Sequence, residues 1–470
     1  MAVLDHNVTI DPAAPASAVD DPEINEVVDL LSGDILNSTA FIASHRYDAF
    51  VEKRGCVLDA MKGHQPLFAC ALCGTPVYFA SSPEKRFFFR HKTEDGSCPA
   101  QTRSTLTEAE IRARKYHGLR ESEAHKRIKR LIERSLAADP RFQAESILQE
   151  RRWRSKNDPS CWRQPDVQAI CGGERLAFEA QLSTTFLDVV VERRRFYRDE
   201  GALLIWIVGE FDPNYRRLTT DDLLFSNNSN ILVVDEESTR LSEERRVFHL
   251  RCHFRRISRD GDRITETWDQ QLACFHELTR DNQRQQAYLF DSKGTKGQLE
   301  ADIDQELRVA FFGVWRSIEF PYRPEILERW RAIRANLAVR NVAIPGAPHG
   351  DRNFRAMMHG MLSAQTGTPV GWEFKAIIEI AHHLAEGYPR HLLAFGYALE
   401  LYGHKALLES QDITGKWKIK RDGFRPKIKA RDPAYAPDQE WFAALGFLFP
   451  EIGMRVDNYL SRNPIPLETK

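Results

Sequence analysis

Arg163-Gln164-Pro165-Asp166-Val167-Gln168-Ala169-Ile170-Cys171-Gly172-Gly173-Glu174-Arg175-Leu176-Ala177-Phe178-Glu179-Ala180-Gln181-Leu182-Ser183 is the stretch that decides the fold. Residues up to Ile170 read as a strand, Gly172-Gly173 as a two-residue hairpin loop, and Leu176–Ser183 as a second strand with clean alternation. Pairing about that loop puts Asp166 opposite Glu179, with Cβ atoms about 4.5–5.5 Å apart. Gln181 shares their face, while Leu176, Phe178, Ala180 and Leu182 take the other. Two carboxylates this close repel each other unless a proton or a cation lies between them. Magnesium prefers carboxylate oxygens and keeps water positions open, which suits phosphodiester hydrolysis. The competing reading is a solvated hairpin face.

The residues that follow favour the metal reading. Thr185 to Glu200 has helical spacing through Leu187, Val190, Val191, Arg194 and Tyr197, Gly201 ends it, and Leu203–Val208 is a nearly continuous apolar run. That is a strand–helix–strand crossover, whose strands are normally covered on both faces. Upstream, Glu121, His125, Ile128 and Ile132 fall on one helical stripe, with Ile128, Leu131, Ile132 and Leu136 on its core side. Glu121 and His125 lie where the apolar stripe runs out. Glu121 is a candidate auxiliary ligand. His125 is a candidate phosphate contact or proton shuttle, or else a helix-surface histidine. Lys126 and Lys129 are candidate cations, or else a solvated helix face.

The order Glu121-Ser122-x-x-His125-x-x-x-Lys129, Pro165-Asp166-Val167, Phe178-Glu179-Ala180-Gln181-Leu182-Ser183, then Glu192-Arg193 with Tyr197 and Trp206-Ile207, resembles the competence-protein CoiA-like family of the PD-(D/E)xK nuclease superfamily. The resemblance covers about residues 65–210. It implies an α/β, restriction-endonuclease-like (PD-(D/E)xK) core in which Asp166 and Glu179 hold magnesium or manganese and Glu121 assists. Gln181 stands where the superfamily pattern has lysine. Glutamine brings no positive charge, so Gln181 is expected to position a water, and Lys129 or His125 to supply the cation or proton donor. CoiA-like proteins themselves tend to carry Glu-x-Gln.

A second constellation is Cys70-Ala71-Leu72-Cys73, then His91, then Cys98. Pro76–Ser81 and Arg86–Arg90 read as the strands of a hairpin that returns His91 to the Cys-x2-Cys knuckle, so the four residues have the makings of a structural zinc site. A similar cysteine ribbon occurs in CoiA-like proteins, and Phe89-Arg90-His91 resembles its aromatic-x-His element. Cys56 and His64 are spare candidates, and two unrelated thiols with a surface histidine remain the alternative. Cys161, Cys171, Cys252 and Cys274 have no ligand spacing.

The chain has 470 residues with 66 Lys and Arg against 67 Asp and Glu, so it is not a basic tail binder as a whole. No apolar run approaches the length of a membrane span. Met1–Asp21 is acidic and Pro/Ala-rich, unlike a secretory signal, and eight cysteines in so long a chain make no disulfide scaffold. A cytoplasmic protein without membrane contact is expected. Four segments follow: 1–45, a flexible acidic lead with a short helix over Val27–Leu36; 46–105, zinc-ribbon-like; 106–290, nuclease-like; and 291–470, mostly helical.

Within the nuclease-like segment, Ile231–Val234 reads as a strand. Arg246–Ser258 and Arg263–Thr267 read as a hairpin around Asp260-Gly261 that extends the same sheet. In the last segment, Ile326–Ala338, Arg352–Ala364, Trp372–Glu386 and Arg390–Glu409 have helical spacing. Lys416–Lys429 reads as a hairpin about Asp422-Gly423, with Lys416, Lys418 and Lys420 on one face. Together with Lys427, Lys429, Lys126 and Arg130 these are candidate contacts to a nucleic-acid backbone. Edge-guarding lysines are the alternative. Further basic density runs from Arg112 to Arg134 and through Arg151, Arg152 and Arg154.

The expected function is metal-dependent hydrolysis of nucleic acid, DNA by resemblance, in DNA processing or antiviral defence. A nuclease fold that binds or senses nucleic acid without turnover is the alternative. The C-terminal segment is a candidate surface for a protein partner or a second copy.

Overall fold

The computed structural model describes residues 9–94, 98–100, 123–182, 187–317 and 323–462. The chain is mixed α/β and divides into two compact units, Met1–Leu299 and Glu300–Lys470.

The first unit opens with β1 (Glu26–Asp29), β2 (Ile35–Asn37), α1 (Ser38–Ala43), α2 (Tyr47–Lys62), β3 (Phe68–Cys70), β4 (Pro76–Ser81) and β5 (Phe87–His91). The strands form one antiparallel sheet in the order β2-β1-β3-β4-β5. Two expectations are corrected here. Val27–Leu36 is a hairpin rather than a helix: the Asp29 carboxylate accepts the Leu31 N–H at 2.9 Å, which fixes the turn, and β1 pairs with β3. Residues from 9 onward are not a loose lead, because Ala16, Ile24, Val27 and Ile42 are buried in the same core as the ribbon. Within that core Phe50, Phe68, Phe79, Phe87 and Phe89 interlock, with Phe79–Phe89 centroids at 4.4 Å and Phe50–Phe79 at 4.6 Å.

The unit continues with α3 (Glu123–Ala138), β6 (Leu148–Gln149), β7 (Trp153–Arg154), β8 (Trp162–Arg163), β9 (Val167–Cys171), β10 (Glu174–Gln181), α4 (Leu187–Asp199), β11 (Ala202–Val208), α5 (Leu218–Ser226), β12 (Asn230–Val233), α6 (Glu236–Arg245), β13 (His249–Asp260), β14 (Arg263–Cys274), β15 (Thr279–Asp281) and β16 (Gln286–Tyr288). A seven-stranded sheet runs β14-β13-β12-β11-β10-β9-β6. Strands β6, β9 and β10 form an antiparallel meander, and β11 returns parallel to β10 after the α4 crossover. Gly172 and Gly173 have φ of 57° and 85°, the left-handed pair that a two-residue hairpin loop requires. Strand β12 continues parallel to β11, and the long β13–β14 hairpin extends the sheet as the turn at Asp260-Gly261 predicts.

The two faces of β10 have different fates. Leu176, Phe178 and Ala180 pack with Ile128, Leu131, Ile132 and Leu136 of α3. Ala177 packs with Phe196 and Tyr197 of α4, so Glu179 meets that helix as well. A buried charge network joins the N-terminal sheet to α5: Asp221 accepts from Lys85 at 3.0 Å, Arg216 at 2.8 Å and Tyr47 at 2.8 Å, while Asp222 pairs with Arg54 at 3.1 Å.

The second unit is helical. It holds the part of α7 (Ser292–Arg316) from Glu300 on, then α8 (Pro324–Ala338), α9 (Arg352–Thr366), α10 (Ile377–Gly387), α11 (Leu392–Leu401), α12 (Lys405–Gln411), α13 (Lys416–Lys429), α14 (Phe442–Leu448) and α15 (Pro450–Arg462). Its core centres on Trp330, Phe354, Met358, Met361 and Ile380. Helix α10 starts later than the spacing predicts, because Trp372 lies against the His359 and His383 rings at 5.0 and 4.9 Å. The predicted Arg390–Glu409 helix breaks between α11 and α12 at Gly403, whose φ is 77°.

The expected hairpin over Lys416–Lys429 is a helix. Asp412 caps it through the N–H groups of Trp417 and Lys418, at 3.0 and 2.8 Å, and Trp417 and Phe424, two turns apart, are buried on one stripe. Lys416, Lys418 and Lys420 therefore do not share a face. Lys420 pairs with Glu386, and Lys427 lies over the Tyr435 ring, while Lys416, Lys418 and Lys429 are exposed. Gly423 sits mid-helix with open space where a Cβ would go. Gly423→Ala is expected to stabilise the protein by about 0.8–1 kcal/mol in urea unfolding, as for an exposed helix interior. A hairpin turn glycine would give the opposite sign.

Candidate functional site

The β9–β10 hairpin carries Asp166 and Glu179 to the same place. Phe178 pairs with Val167, so one step further along the register Glu179 stands opposite Asp166. Asp166 Oδ2 accepts the Ala180 N–H at 2.8 Å and lies 3.0 Å from His125 Nε2 of α3. Glu179 is 2 % exposed. Tyr197 Oη donates to it at 3.3 Å, and the Arg193 guanidinium makes a direct contact with its other oxygen. Burial pushes the Glu179 carboxyl up to about 8 against the pull of Arg193, and the Asp166 charge adds to the rise. Trp206, paired with Glu179 on β11, has a buried indole N–H with no acceptor among the described residues.

The other predicted residues divide. Gln181 ends β10 at a cleft of about 980 Å³ along the carboxyl ends of β10, β11 and β12, also lined by Arg127, Arg130, Gly209, Arg217 and Asp235. Such crevices at strand carboxyl ends are the usual ligand positions of open α/β sheets. Glu121 lies outside the described residues. Lys129 is corrected as the site's free cation: its ammonium is buried and paired with Glu150, so it closes the space between α3 and β6. Lys126 pairs with Glu123 at 2.9 Å.

Sequence reasoning gave no role to Arg193. The signal was available: a carboxylate buried on a central strand needs a partner, and Arg193 and Tyr197 share a helix face four residues apart.

Two domain-family models match the chain. Residues 33–105 are similar to the domain of unknown function DUF7830, and residues 107–293 to the domain of unknown function DUF6035. No curated protein and no solved structure matches it.

The second site lies within the first of these matches. The β3–β4 connection folds back so that Cys70 N–H donates to Thr75 O and Gly74 N–H to Cys70 O, both at 2.9 Å, which presents Cys70 and Cys73 together. Strand β5 pairs Val77 with His91 and so returns His91 to the knuckle. Ligand atoms of Cys70, Cys73, His91 and Cys98 all lie within 4.8 Å of one another. A tetrahedral site with Zn–S bonds of about 2.3 Å needs only a small contraction of that cluster. His91 Nε2 is 3.4 Å from Cys73 Sγ, and the Glu94 carboxylate lies 3.4 Å from Nδ1. Thr75 hydrogen bonds hold the Cys73 thiol down at about 6, overcoming the opposing effect of burial. The cluster can bind a metal such as zinc. Cys56 and His64 are not part of it. No helix among the described residues is long and apolar enough to cross a membrane.

Proposed function

We propose that this protein is a metal-dependent nuclease of the CoiA-like, PD-(D/E)xK type, acting on DNA. The observation that carries the reading is the convergence of Asp166 and Glu179, with His125 on Asp166, at one end of the β9–β10 hairpin. The element order around that hairpin supports it: α3, the β6-β9-β10 meander, the α4 crossover and parallel β11 are what a restriction-endonuclease-like core uses.

The residues fit a hard divalent cation. Their donors are carboxylate oxygens, and Glu179 is buried with a single guanidinium against it. Asp166 and Glu179 would hold magnesium or manganese, which supplies a water of lowered pKa and neutralises charge on the cleaved phosphate. Asp166 is oriented for this by the Ala180 N–H. His125 would take or give a proton at the edge of the site, and Gln181 would hydrogen-bond a water or phosphate oxygen entering from the cleft. Incubation of plasmid and single-stranded DNA with magnesium, manganese or EDTA tests the reading, and products in EDTA or none under either metal would end it.

Three observations favour the second reading, a nuclease fold that binds nucleic acid without cutting. Gln181 lacks a charge, Lys129 is spent on Glu150, and Arg193 already occupies one oxygen of Glu179. DNA binding without metal-dependent products would select it.

A pH prediction follows from Glu179. A carboxyl raised to about 8 keeps its proton in the folded protein while the unfolded chain ionises near 4.5. Its contribution to stability is therefore complete below that lower value and is lost as pH rises to about 8. A bound cation requires the ionised form. Magnesium affinity is expected to rise about tenfold per pH unit between 6 and 8 and then level off. Calorimetry in buffers of different ionisation heat should count close to one proton released per ion. An affinity independent of pH over that range would contradict the assignment of Glu179 as a ligand.

A further inference from the structure

We propose that Arg193 is the phosphate-binding cation of this site, held on Glu179 in the metal-free protein and released to the substrate when a divalent cation takes over the Glu179 charge. This rests on the nuclease reading and deepens it.

Lys129 is buried on Glu150, and Lys126 is paired with Glu123. Lys62 and Arg163 lie 2.5 and 3.6 Å from Glu192. None of these partners is a candidate metal ligand. Arg193 differs from all four because its partner, Glu179, is itself the carboxylate that a metal would use. Loading the site therefore puts two cations on one carboxylate. Like charges at that separation disfavour each other, so the mobile one gives way.

Arg193 is built to be the mobile one. About 32 % of its side chain is exposed, against 2 % for Glu179, so Arg193 is the partner of the pair that borders solvent. Its guanidinium carbon is 5.9 Å from the centre of the Trp206 ring, and Trp206 pairs with Glu179 on the neighbouring strand. That aromatic face offers the departing cation a surface beside the site. A guanidinium matches two phosphate oxygens at once, and Gln181, at the position where the superfamily pattern has lysine, brings no charge of its own. The competing account is that Arg193 only neutralises a buried carboxylate and stays where it is.

The experiment measures binding of a labelled DNA oligonucleotide as a function of salt above pH 8, where Glu179 is ionised, in EDTA and in calcium, which takes the same oxygen ligands as magnesium. Wild type and Arg193→Gln are compared, with folding checked by circular dichroism. In EDTA the two should show the same salt slope. In calcium the wild-type slope should be steeper by about 0.7–0.9, the contribution of one phosphate contact. Arg193→Lys should keep most of that difference. Magnesium-dependent turnover of Arg193→Gln should fall on the order of 10²–10³-fold, as for the loss of one charge-stabilising donor.

Glu179→Gln gives a second route should Arg193→Gln not fold. With no carboxylate to hold it, Arg193 is free without metal, and the steep slope should appear already in EDTA. Equal slopes for wild type and Arg193→Gln in calcium, or unequal slopes in EDTA, overturn the inference. If wild type cuts DNA but the slopes are equal, the inference alone fails. If the slope pattern holds but wild type cuts nothing, the nuclease reading alone fails.

Discussion

Asp166→Asn is expected to abolish magnesium-dependent cleavage while leaving the protein folded. Loss of a metal ligand removes transition-state stabilisation of several kcal/mol, which corresponds to on the order of a thousandfold in rate. The choice of asparagine matters. Asp166 Oδ2 accepts the Ala180 N–H, so Asp166→Ala strips a backbone donor of its partner as well as removing the proposed ligand. That variant should lose an additional ~1–3 kcal/mol of stability, whereas the asparagine carbonyl can still accept. Glu179→Gln should be equally inactive and at least as stable as wild type below pH 8, because its neutral amide replaces a carboxyl that burial already keeps largely protonated there. Initial rates on plasmid DNA, read beside urea midpoints, separate the two effects. Either variant cutting at the wild-type rate would remove that residue from the site.

What could be read from the chain and what could not have different physical origins. The β9–β10 hairpin was legible because Gly172-Gly173 fixes the loop and strict alternation fixes the faces, which places Asp166 opposite Glu179 without any tertiary information. The β13–β14 hairpin was legible for the same reason. Lys416–Lys429 misled because Asp422-Gly423 between alternating lysines and apolar residues mimics a hairpin. The stronger signal was the seven-residue interval from Trp417 to Phe424, with the Asp412 cap ahead of it. Val27–Leu36 is too short for its period to decide between helix and strand, and its pairing with β3 is a long-range fact. Arg193 on Glu179 joins a helix to a strand, and Lys129 on Glu150 joins a helix to the loop after β6. Both arise from packing, so neither distance is encoded in local spacing. The cysteine cluster lies between these cases: the Cys-x2-Cys knuckle is local, while the return of His91 depends on the β4–β5 register.

Cys70→Ser and Cys73→Ser are each expected to take the zinc content of purified protein from about one per chain to near zero, since a structural site needs all four ligands. The consequence for the fold should be local. An isolated zinc module unfolds without its metal because it has no other core. Here the strands beside the cluster also carry Phe68, Phe79, Phe87 and Phe89, which are buried together with Phe50 of α2 and with Leu223, Leu224 and Phe225 of α5. The salt bridge from Lys85 to Asp221 adds a second anchor between the same parts. Hydrogen exchange should therefore accelerate around Cys70–Thr75 and at His91, while the Phe79 and Phe89 amides stay protected. Cleavage by the Asp166–Glu179 site should persist at a reduced level, because those residues lie on the other sheet. A zinc-free wild type whose Cys70 and Cys73 are alkylated under native conditions would show that the cluster holds no metal, and the aromatic core would then be what keeps the sheet folded.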